Sequence, residues 1–512
     1  MSQKIVRSTS VVAGFTFLSR ISGFIRDIIF ASIFGAGGMF DAFVIAFKLP
    51  NFLRRLFGEG AFSQAFIPIL AEQRAEKSPA DVQSFVDRVA GTLGMSVLIV
   101  VLIAEIAAPL LVMIFAPGFV DDPARFALTQ QLLHIMFPYL LLIVLTAFAG
   151  AILNTCGLFA APAFTPVLLN VSFIAVALWW APHSSSPITT LAWGVIFGGF
   201  AQLFIQIPFL KNVRLLPRFK IGFRDPGVVR VMKRMLPALF GVSVAQISLL
   251  VDNMFASFLP ASSISWLYYS DRLIYFPLGI IGVAIATVVM PYLSRNYSEK
   301  EESIFSATLD WALRTTLLIG FPAAVGLFVL SGPTLATLLH YGKFSTFDVV
   351  MTAKSLRAFA VGLPAFMLIK TLASAFYARQ NIKTPVKIAA AAVIVNLIFN
   401  ALLIFPLKHA GLALSTSISA ILNAALLWIF LIKHGIFQPS LGWRKVIIQL
   451  IVANSGMGLL VAVLAGALTP WLAWSAMTRV VHLVLILLAG VMFYVGLLWT
   501  MGLRLRHFRS PS

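Results

Sequence analysis

Ionisable residues are concentrated within the first sixty residues of the chain, inside stretches that are otherwise apolar. They are Arg20, Arg26, Asp27, Asp41, Lys48, Arg54, Arg55 and Glu59. Each such residue costs roughly 2.5–3.5 kcal/mol at a lipid-exposed helix centre, so the set cannot face lipid. In a helix, Arg20 and Asp27 fall within about 20° of the same face. The spacing therefore predicts polar helix faces that line a water-filled space.

The net charge of this set of residues indicates the chemical class of the ligand. Arg and Lys outnumber carboxylates even when the second half of the chain is included, which adds Asp252, Asp271, Arg272, Arg357 and Lys370. A buried positive surplus favours an anionic ligand, and arginine matches two oxygens of a phosphate or diphosphate. The alternative is that these residues form interhelical ion pairs that only fix packing, as Arg26 with Asp27 would.

The composition excludes an ordinary soluble domain. The chain has 512 residues, of which 60% are hydrophobic and 11% charged, with a mean hydropathy of +0.96. Soluble proteins carry charge at about a quarter of their positions. The bilayer is therefore the main solvent of this protein, and the single cysteine, Cys156, permits no intramolecular disulfide.

Apolar stretches bounded by polar or Pro/Gly turns predict an all-α polytopic membrane protein of about 14 transmembrane helices. The segments are 8–33, 39–71, 87–114, 130–152, 162–181, 189–210, 229–258, 271–294, 310–330, 349–377, 386–405, 411–432, 446–468 and 478–503. An even number places both termini on one side. Loops on that side hold about 24 Lys and Arg, whereas the opposite loops hold about three, so both termini are expected to be cytoplasmic. The net charge of +20 thus indicates orientation and not nucleic acid.

An internal repeat divides the chain. The sequence FIRDIIFAS at 24–32 matches LLVDNMFAS at 249–257, and three later proline landmarks keep a similar offset. We expect an N-terminal six-helix lobe with a basic linker at 1–225, a C-terminal six-helix lobe at 226–440, and two additional transmembrane helices at 441–512. Parallel repeats of this kind place the substrate site between the two halves.

The linker between the halves, 211–234, is basic and amphipathic. We expect it to lie on the cytoplasmic surface against anionic lipid, with a direct substrate role as the alternative.

The common enzymatic motifs are missing. The sequence has no P-loop, no His-Glu-x-x-His and no Cys-x-x-Cys, so neither ATP hydrolysis nor a metal site is expected. Asp310 and His340 lie near membrane boundaries, where polar residues are usually solvated. We therefore expect no catalytic residue, no cofactor and no enzyme activity.

Five long strings carry a family resemblance. They begin with FLSRISGFIRDIIFASIFGAGGMFDAF at 17–43 and KLPNFLRRLFGEGAFSQAFIPIL at 48–70, and continue with SWLYYSDRLIYFPLGIIGVAIATVVMPYLS at 265–294, YGKFSTFD at 341–348 and FYARQNIKTPVKIA at 376–389. With these strings the chain resembles the bacterial lipid II flippases of peptidoglycan synthesis, the MurJ/MviN family. That family belongs to the multidrug/oligosaccharidyl-lipid/polysaccharide exporter superfamily, in which two six-helix lobes rock around a central cavity.

The resemblance implies a function in the inner membrane. The substrate would be lipid II, an undecaprenyl-diphosphate-linked disaccharide pentapeptide, moved from the cytoplasmic to the periplasmic leaflet by alternating access. Membrane lipids and the cell-wall synthesis machinery are the other implied partners. Helices thirteen and fourteen are similar to the pair that forms the groove for the polyprenyl tail.

The same resemblance implies the substrate-binding residues. Arg20, Arg26 and Arg272 are expected to contact the diphosphate. Asp27, Asp41 and Glu59 would orient those arginines or act in gating, with Arg54 and Arg55 beside them on the second helix.

Two questions stay open from the sequence. Energy coupling is either to sodium, for which Asp252, Asn396 and Asn400 could supply oxygen ligands, or to the membrane potential, worth about 2.3 kcal/mol per charge per 100 mV. The alternative functions are a flippase for another polyprenyl-diphosphate-linked saccharide, a drug or organic-cation antiporter, and a scaffold that recruits wall-synthesis enzymes. An antiporter is expected to show a carboxylate-rich cavity, and a scaffold needs no charged stripe.

Overall fold

The computed structural model describes residues 3–54 and 62–503, and every regular element in these two ranges is helical. The chain forms two compact units, the first ending at Ser262 and the second beginning at Ser263.

The first unit contains eleven α-helices in its described part. They are α1 (Gln3–Phe34), α2 (Gly38–Arg54), α3 (Phe62–Glu76), α4 (Pro79–Ile106), α5 (Ala108–Phe115), α6 (Pro123–Met136), α7 (Tyr139–Thr155), α8 (Ala160–Ala175), α9 (Pro187–Phe204), α10 (Ile207–Asn212) and α11 (Pro226–Ser257). A single π-helical turn, Val176–Trp180, extends α8.

The second unit contains nine α-helices in its described part. They are α12 (Ser263–Pro277), α13 (Val283–Ser298), α14 (Glu302–Val329), α15 (Ser331–Leu338), α16 (Thr346–Ala378), α17 (Lys383–Lys433), α18 (Trp443–Ala465), α19 (Leu468–Ala473) and α20 (Ala476–Thr500). A π-helical turn, Leu278–Gly282, joins α12 to α13.

Nine helical stretches of the described chain are long and apolar enough to cross a membrane. They are Pro79–Ile106, Pro123–Thr155, Ala160–His183, Pro187–Asn212, Glu302–Val329, Thr346–Ala378, Lys383–Lys433, Trp443–Ala465 and Ala476–Thr500. The stretch Lys383–Lys433 has 51 residues, whereas one crossing needs about 20. Its length therefore suits two crossings and not one.

A sharp reversal divides α17 into two antiparallel halves. The backbone is non-helical at Lys408, with φ 51° and ψ −131°. Beyond it, the Ser415 hydroxyl donates to the Asn396 carbonyl at 2.8 Å and the Ser419 hydroxyl donates to the Ala392 carbonyl at 2.7 Å. These pairs step in opposite directions along the chain, as two antiparallel helices require. The halves agree with the separate crossings predicted at 386–405 and 411–432.

The remaining four predicted crossings contain most of the charged residues that the sequence singled out. They fall on α1, on α2 with α3, on α11, and on α12 with α13, all of which are helical where the structure describes them. Nine apolar stretches, one of them double, together with these four accommodate the fourteen predicted crossings. The predicted all-α membrane fold is confirmed.

The helix α11 packs within the first unit. Near its start Arg230 Nη1 lies 2.5 Å from Glu72 Oε1 on α3, and this hydrogen bond lowers the pKa of the Glu72 carboxyl. At its end the buried Ser257 hydroxyl accepts a bond of 2.9 Å from the Gly118 N–H. The compact unit thus extends past the lobe boundary placed between residues 225 and 226 by the repeat. The lobe boundaries, which rest on the repeat alone, stay a prediction.

Asp310 attaches the segment that enters α18 to the body of the second unit. Its carboxylate accepts bonds from Trp443 Nε1 at 2.6 Å and Ser440 Oγ at 2.7 Å, and it pairs with Arg314 Nε at 2.8 Å. Asp310 is buried, so the expectation that it is merely solvated was wrong. The segment that enters α18 returns to cover it, a contact between residues 130 and 133 positions apart that sequence spacing does not reveal.

Arg479 fixes the beginning of α20 in a similar way. Its guanidinium donates to the Ala336 and His340 carbonyls at 2.8 and 3.2 Å and to the Leu472 carbonyl at 2.9 Å. Ala336 and Leu472 lie in the last turns of α15 and α19, where helix dipoles favour a cation. Burial lowers the pKa of His340, and the charge of Arg479 lowers it further.

Replacement of Asp310 tests this attachment. Asp310→Ala removes the carboxylate that pairs with Arg314 and the acceptor of the Trp443 indole, so we expect a loss of about 3 kcal/mol in the free energy of unfolding. Denaturant unfolding of the detergent-solubilised protein measures it. Glu302→Ala, an exposed change in the first turn of the same helix, should cost only a few tenths of a kcal/mol. Equal effects of the two changes would contradict the role of Asp310.

Candidate functional site

Arg26 and Asp27 form a buried ion pair on α1. Arg26 Nη2 lies 2.6 Å and Arg26 Nε 3.0 Å from Asp27 Oδ1. The residues are 7% and 5% exposed, respectively. The ion pair that the sequence suggested for these two neighbours is therefore present. Asp27 thus lies against Arg26, and its expected role in orienting the arginines or in gating stays a prediction.

Asn170 on α8 completes the support of Arg26. Arg26 Nη1 donates to Asn170 Oδ1 at 3.0 Å, while Asn170 Nδ2 donates to the Ser22 hydroxyl at 2.9 Å and the Ser19 carbonyl at 3.1 Å. The amide is buried and joins α8 to α1 at three points. Sequence analysis did not single out Asn170. The one sequence feature that could have indicated it is a lone amide in the apolar stretch 167–176. Its partner, Arg26, is 144 positions away in the sequence.

Two aromatic rings fix the guanidinium of Arg26 further. Its Cζ lies 5.5 Å from the centroid of the Phe30 ring and 5.6 Å from that of Phe173. Cations in such positions are attracted by the π faces, more strongly where water is excluded. Arg26 is thus held by a carboxylate, an amide and two rings in one orientation. A fixed guanidinium can bind an oxyanion with less loss of side-chain freedom than a mobile one.

Asp41 on α2 holds the segment that follows α11. It is 1% exposed, and its Oδ2 accepts a bond of 2.7 Å from the Ser262 N–H. Ser262 has φ 80°, and its hydroxyl donates to the Ala36 carbonyl at 3.2 Å. This carboxylate binds backbone at the end of the first unit. That position suits the expected orienting or gating role, which stays a prediction.

The polar stripe of α2 also contacts α11. Lys48 Nζ donates to Oδ1 of the buried Asn253 at 2.5 Å. Arg54 is half-buried at the end of the helix, and its Nε donates to Asn51 Oδ1 at 2.8 Å. The predicted site residues Arg55 and Glu59 lie outside the described residues.

Arg20 and Arg272 are half-buried on different units. Arg20 lies on α1, about two turns before the ion pair, and Arg272 lies on α12 with its Cζ 4.9 Å from the centroid of the Tyr268 ring. The structure thus brings Arg26 together with Asp27, and it places Arg20 on the same helix. Joint contact of these arginines with one diphosphate stays a prediction.

The predicted cation ligands are divided between the units. Asp252 lies on α11 of the first unit, whereas Asn396 and Asn400 are fully buried in α17 of the second. Asn396 Oδ1 accepts a bond of 2.9 Å from the Ser415 hydroxyl across the α17 reversal. Among the described residues no three His, Cys, Asp or Glu side chains cluster as a metal site would need. Sodium coupling stays a prediction.

The string YGKFSTFD has a structural explanation. Ser345 and Asp348 form a reciprocal capping box at the start of α16: the Asp348 N–H donates to the Ser345 hydroxyl at 3.2 Å, and the Ser345 N–H donates to Asp348 Oδ2 at 2.9 Å. Trp266 Nε1 of α12 donates to the other oxygen of Asp348 at 2.8 Å. These residues therefore set the relative position of two helices within the second unit.

The last two long helices expose large apolar side chains. Tyr494 of α20 donates to the Leu318 carbonyl of α14 at 2.8 Å, while Leu459 and Val463 of α18 and Met492 of α20 are about two-thirds exposed. Such faces suit contact with lipid chains. The groove for a polyprenyl tail stays a prediction.

A double-mutant cycle tests the Arg26–Asn170 contact. Each of Arg26→Ala and Asn170→Ala removes the same hydrogen bond, so their effects on the free energy of unfolding should be non-additive by about 1–2 kcal/mol. The effects of Arg26→Ala and Asp310→Ala, whose residues lie in different units, should add. Additivity in both cycles would show that Asn170 does not hold Arg26.

Similarity to known proteins covers both the helices that carry charged residues and the apolar helices. The model of the family described as lipid II flippase MurJ matches residues 30–482. A probable lipid II flippase MurJ of Haemophilus influenzae is 44% identical over 510 residues, covering 97% of this chain and all of the relative. The lipid II flippase MurJ of Burkholderia cenocepacia is 42% identical over 521 residues, covering 99% of both chains.

Solved structures show the same relationship. A lipid II flippase MurJ in an inward closed conformation has a TM-score of 0.80 at 28% identity, covering 95% of this chain and 97% of that one. An inward-facing multidrug resistance MATE transporter of the MOP superfamily has a TM-score of 0.66 at 14% identity over 83% of this chain, which shows a shared fold alone. The family model matches most of the chain and relatives at over 40% identity cover at least 97% of it, so this protein belongs to the lipid II flippase MurJ family.

Proposed function

We propose that this protein carries lipid II from the cytoplasmic to the periplasmic leaflet of the bacterial inner membrane. It would do so by alternating access through a cationic cavity, with both termini in the cytoplasm. The observation that carries the proposal is the full-length membership of the lipid II flippase family. The fixed guanidinium of Arg26 within a membrane-spanning helix supports the choice of a diphosphate as the recognised group.

The chemistry of Arg26 fits a transported anion. In the absence of substrate, the Asp27 carboxylate balances its charge, which makes a guanidinium tolerable in a low-dielectric setting. A diphosphate would compete with Asp27 for the same donors and would bring more negative charge. Asn170 and the two aromatic rings would keep the guanidinium in place while that exchange occurs. Binding would thus be strong enough for recognition and still reversible.

The other charged residues complete the proposal. Arg20 and Arg272 would supply further donors to the diphosphate, and Asp41 would hold the segment after α11 closed in one state of the transport cycle. Either sodium at Asp252, Asn396 and Asn400 or the membrane potential would reset the carrier. The protein would act as a transporter and not as an enzyme.

Two alternatives predict different outcomes. A flippase for another polyprenyl-diphosphate-linked saccharide would use the same cationic residues on a different sugar. A drug or organic-cation antiporter would need a carboxylate surplus, whereas the charged set here is dominated by Arg and Lys.

The direct test is the leaflet distribution of lipid II in cells depleted of their own flippase. The intact chain should restore lipid II to the outer leaflet, and Arg26→Ala should abolish that restoration while the protein still inserts in the membrane. Arg295→Ala is the matched control, since Arg295 on α13 forms an exposed ion pair with Glu299, the residue after that helix. Normal growth with Arg26→Ala as the sole copy would refute the assignment of Arg26. Failure of the intact, inserted chain would point to another lipid-linked saccharide.

Arg26→Lys separates charge from geometry. Lysine keeps the positive charge but cannot contact Asp27 and Asn170 through a planar fork. We therefore expect a flipping rate between those of the intact protein and Arg26→Ala, measured in the same cells at equal protein levels. A rate equal to that of the intact protein would mean that charge alone suffices.

A further inference from the structure

The segment between α10 and α11 is fastened to the side of α4. This segment, Arg214–Asp225, contains no helix or strand and is called the strap. Asp87 of α4, 1% exposed, accepts a bond of 2.8 Å from the Arg218 N–H through its Oδ1. Gln83 Nε2 donates to the same Oδ1 at 2.6 Å and to the Leu216 carbonyl at 2.9 Å. The buried carboxylate of Asp87 thus accepts a hydrogen bond from a backbone N–H at the centre of the strap.

Close backbone contact continues along the next two turns of α4. The Gly222 N–H donates to the Thr92 hydroxyl at 3.0 Å. A Cβ at Gly91 would overlap the backbone of Lys220, so only glycine permits this approach. At the end of the strap Asp225 pairs with Arg88 of α4. The strap is therefore a docked element with a defined outer surface.

That outer surface combines apolar and cationic side chains. Phe219, Ile221 and Phe223 are 68%, 61% and 50% exposed. The four cations Arg214, Arg218, Lys220 and Arg224 are exposed among them. Asp225 is the one acid within the strap, and it is already paired with Arg88. Lys220 Nζ lies 3.7 Å from Asp87 Oδ2, but the lysine side chain is 58% exposed and its charge reaches solvent.

The position of the strap points to a lipid partner. It joins two consecutive membrane crossings, on the side where Lys and Arg accumulate, so it lies at the level of the lipid headgroups. Aromatic and large aliphatic side chains interleaved with Arg and Lys are typical of segments that bind anionic membrane surfaces. An acidic soluble protein would neutralise the cations but has no evident need for three apolar side chains.

We propose that the docked strap is a binding site for anionic phospholipid headgroups of the cytoplasmic leaflet. Phe219, Ile221 and Phe223 would enter the interfacial layer while the four cations contact phosphates. Asp87 and Gly91 would hold the strap in the orientation that allows both. This proposal is independent of the transported substrate.

The single native cysteine makes a site-specific test practical. In a Cys156→Ser background, Ile221→Cys is labelled with an environment-sensitive fluorophore, and the full chain is placed in nanodiscs of phosphatidylcholine and phosphatidylglycerol. Two preparations have the same ratio of the two lipids and the same amount of bromine, which quenches the fluorophore. In one preparation the phosphatidylcholine is brominated, and in the other the phosphatidylglycerol is brominated. We expect stronger quenching when phosphatidylglycerol is brominated.

Charge variants supply the controls. Changing Arg214, Arg218, Lys220 and Arg224 to Gln should remove the difference between the two preparations. Changing four other exposed cations on the same side, Lys383, Lys387, Lys433 and Arg444, to Gln removes the same net charge and should leave the difference intact. Equal quenching by both lipids in the unmodified strap would overturn the anionic preference. Absence of quenching by either lipid would overturn the membrane location and favour a soluble acidic partner.

Discussion

A charged group inside a membrane helix persists only where the protein replaces the water that it has lost, and this constraint governs the structure. Arg26 meets it with one carboxylate, one amide and two aromatic rings, all within the first unit. The packing of α8 on α1 therefore depends on a polar contact in an apolar setting. A diphosphate carrier needs this kind of site, because the cation must be stable when empty and available when the anion arrives.

The same constraint explains how buried polar side chains hold helix ends and the segments between helices. Asp87, Asp310 and Arg479 are buried, and each bonds to backbone groups that no helix satisfies. Apolar contacts between membrane helices have little direction, since lipid chains are as apolar as leucine. Hydrogen bonds from buried side chains to helix ends and connecting segments thus fix relative positions that apolar packing alone leaves undefined. Each of these residues joins segments that are far apart in the sequence.

Because these contacts join residues far apart in the chain, only part of the structure can be predicted from the sequence. Hydrophobic segments, the turn at Lys408 and the charged helices follow from composition and spacing, and the structure agrees with them. Arg26 with Asp27 was foreseeable because the residues are adjacent. The roles of Asn170 and Asp310 could not be predicted, because these side chains bind partners more than a hundred residues away in the sequence. The compact first unit extends past the repeat boundary for the same reason, because α11 is held by contacts with α2 and α3 that the repeat does not encode.

Recognition of a diphosphate by Arg26 is the central claim, and affinity measures it most directly. Purified protein in nanodiscs would be titrated with lipid II and with an analogue whose diphosphate is replaced by an uncharged linker, for the intact chain and for Arg26→Ala. The account predicts much tighter binding of lipid II than of the analogue by the intact chain, and a large reduction of that difference in the variant. Equal affinity of the intact chain for both lipids would contradict it.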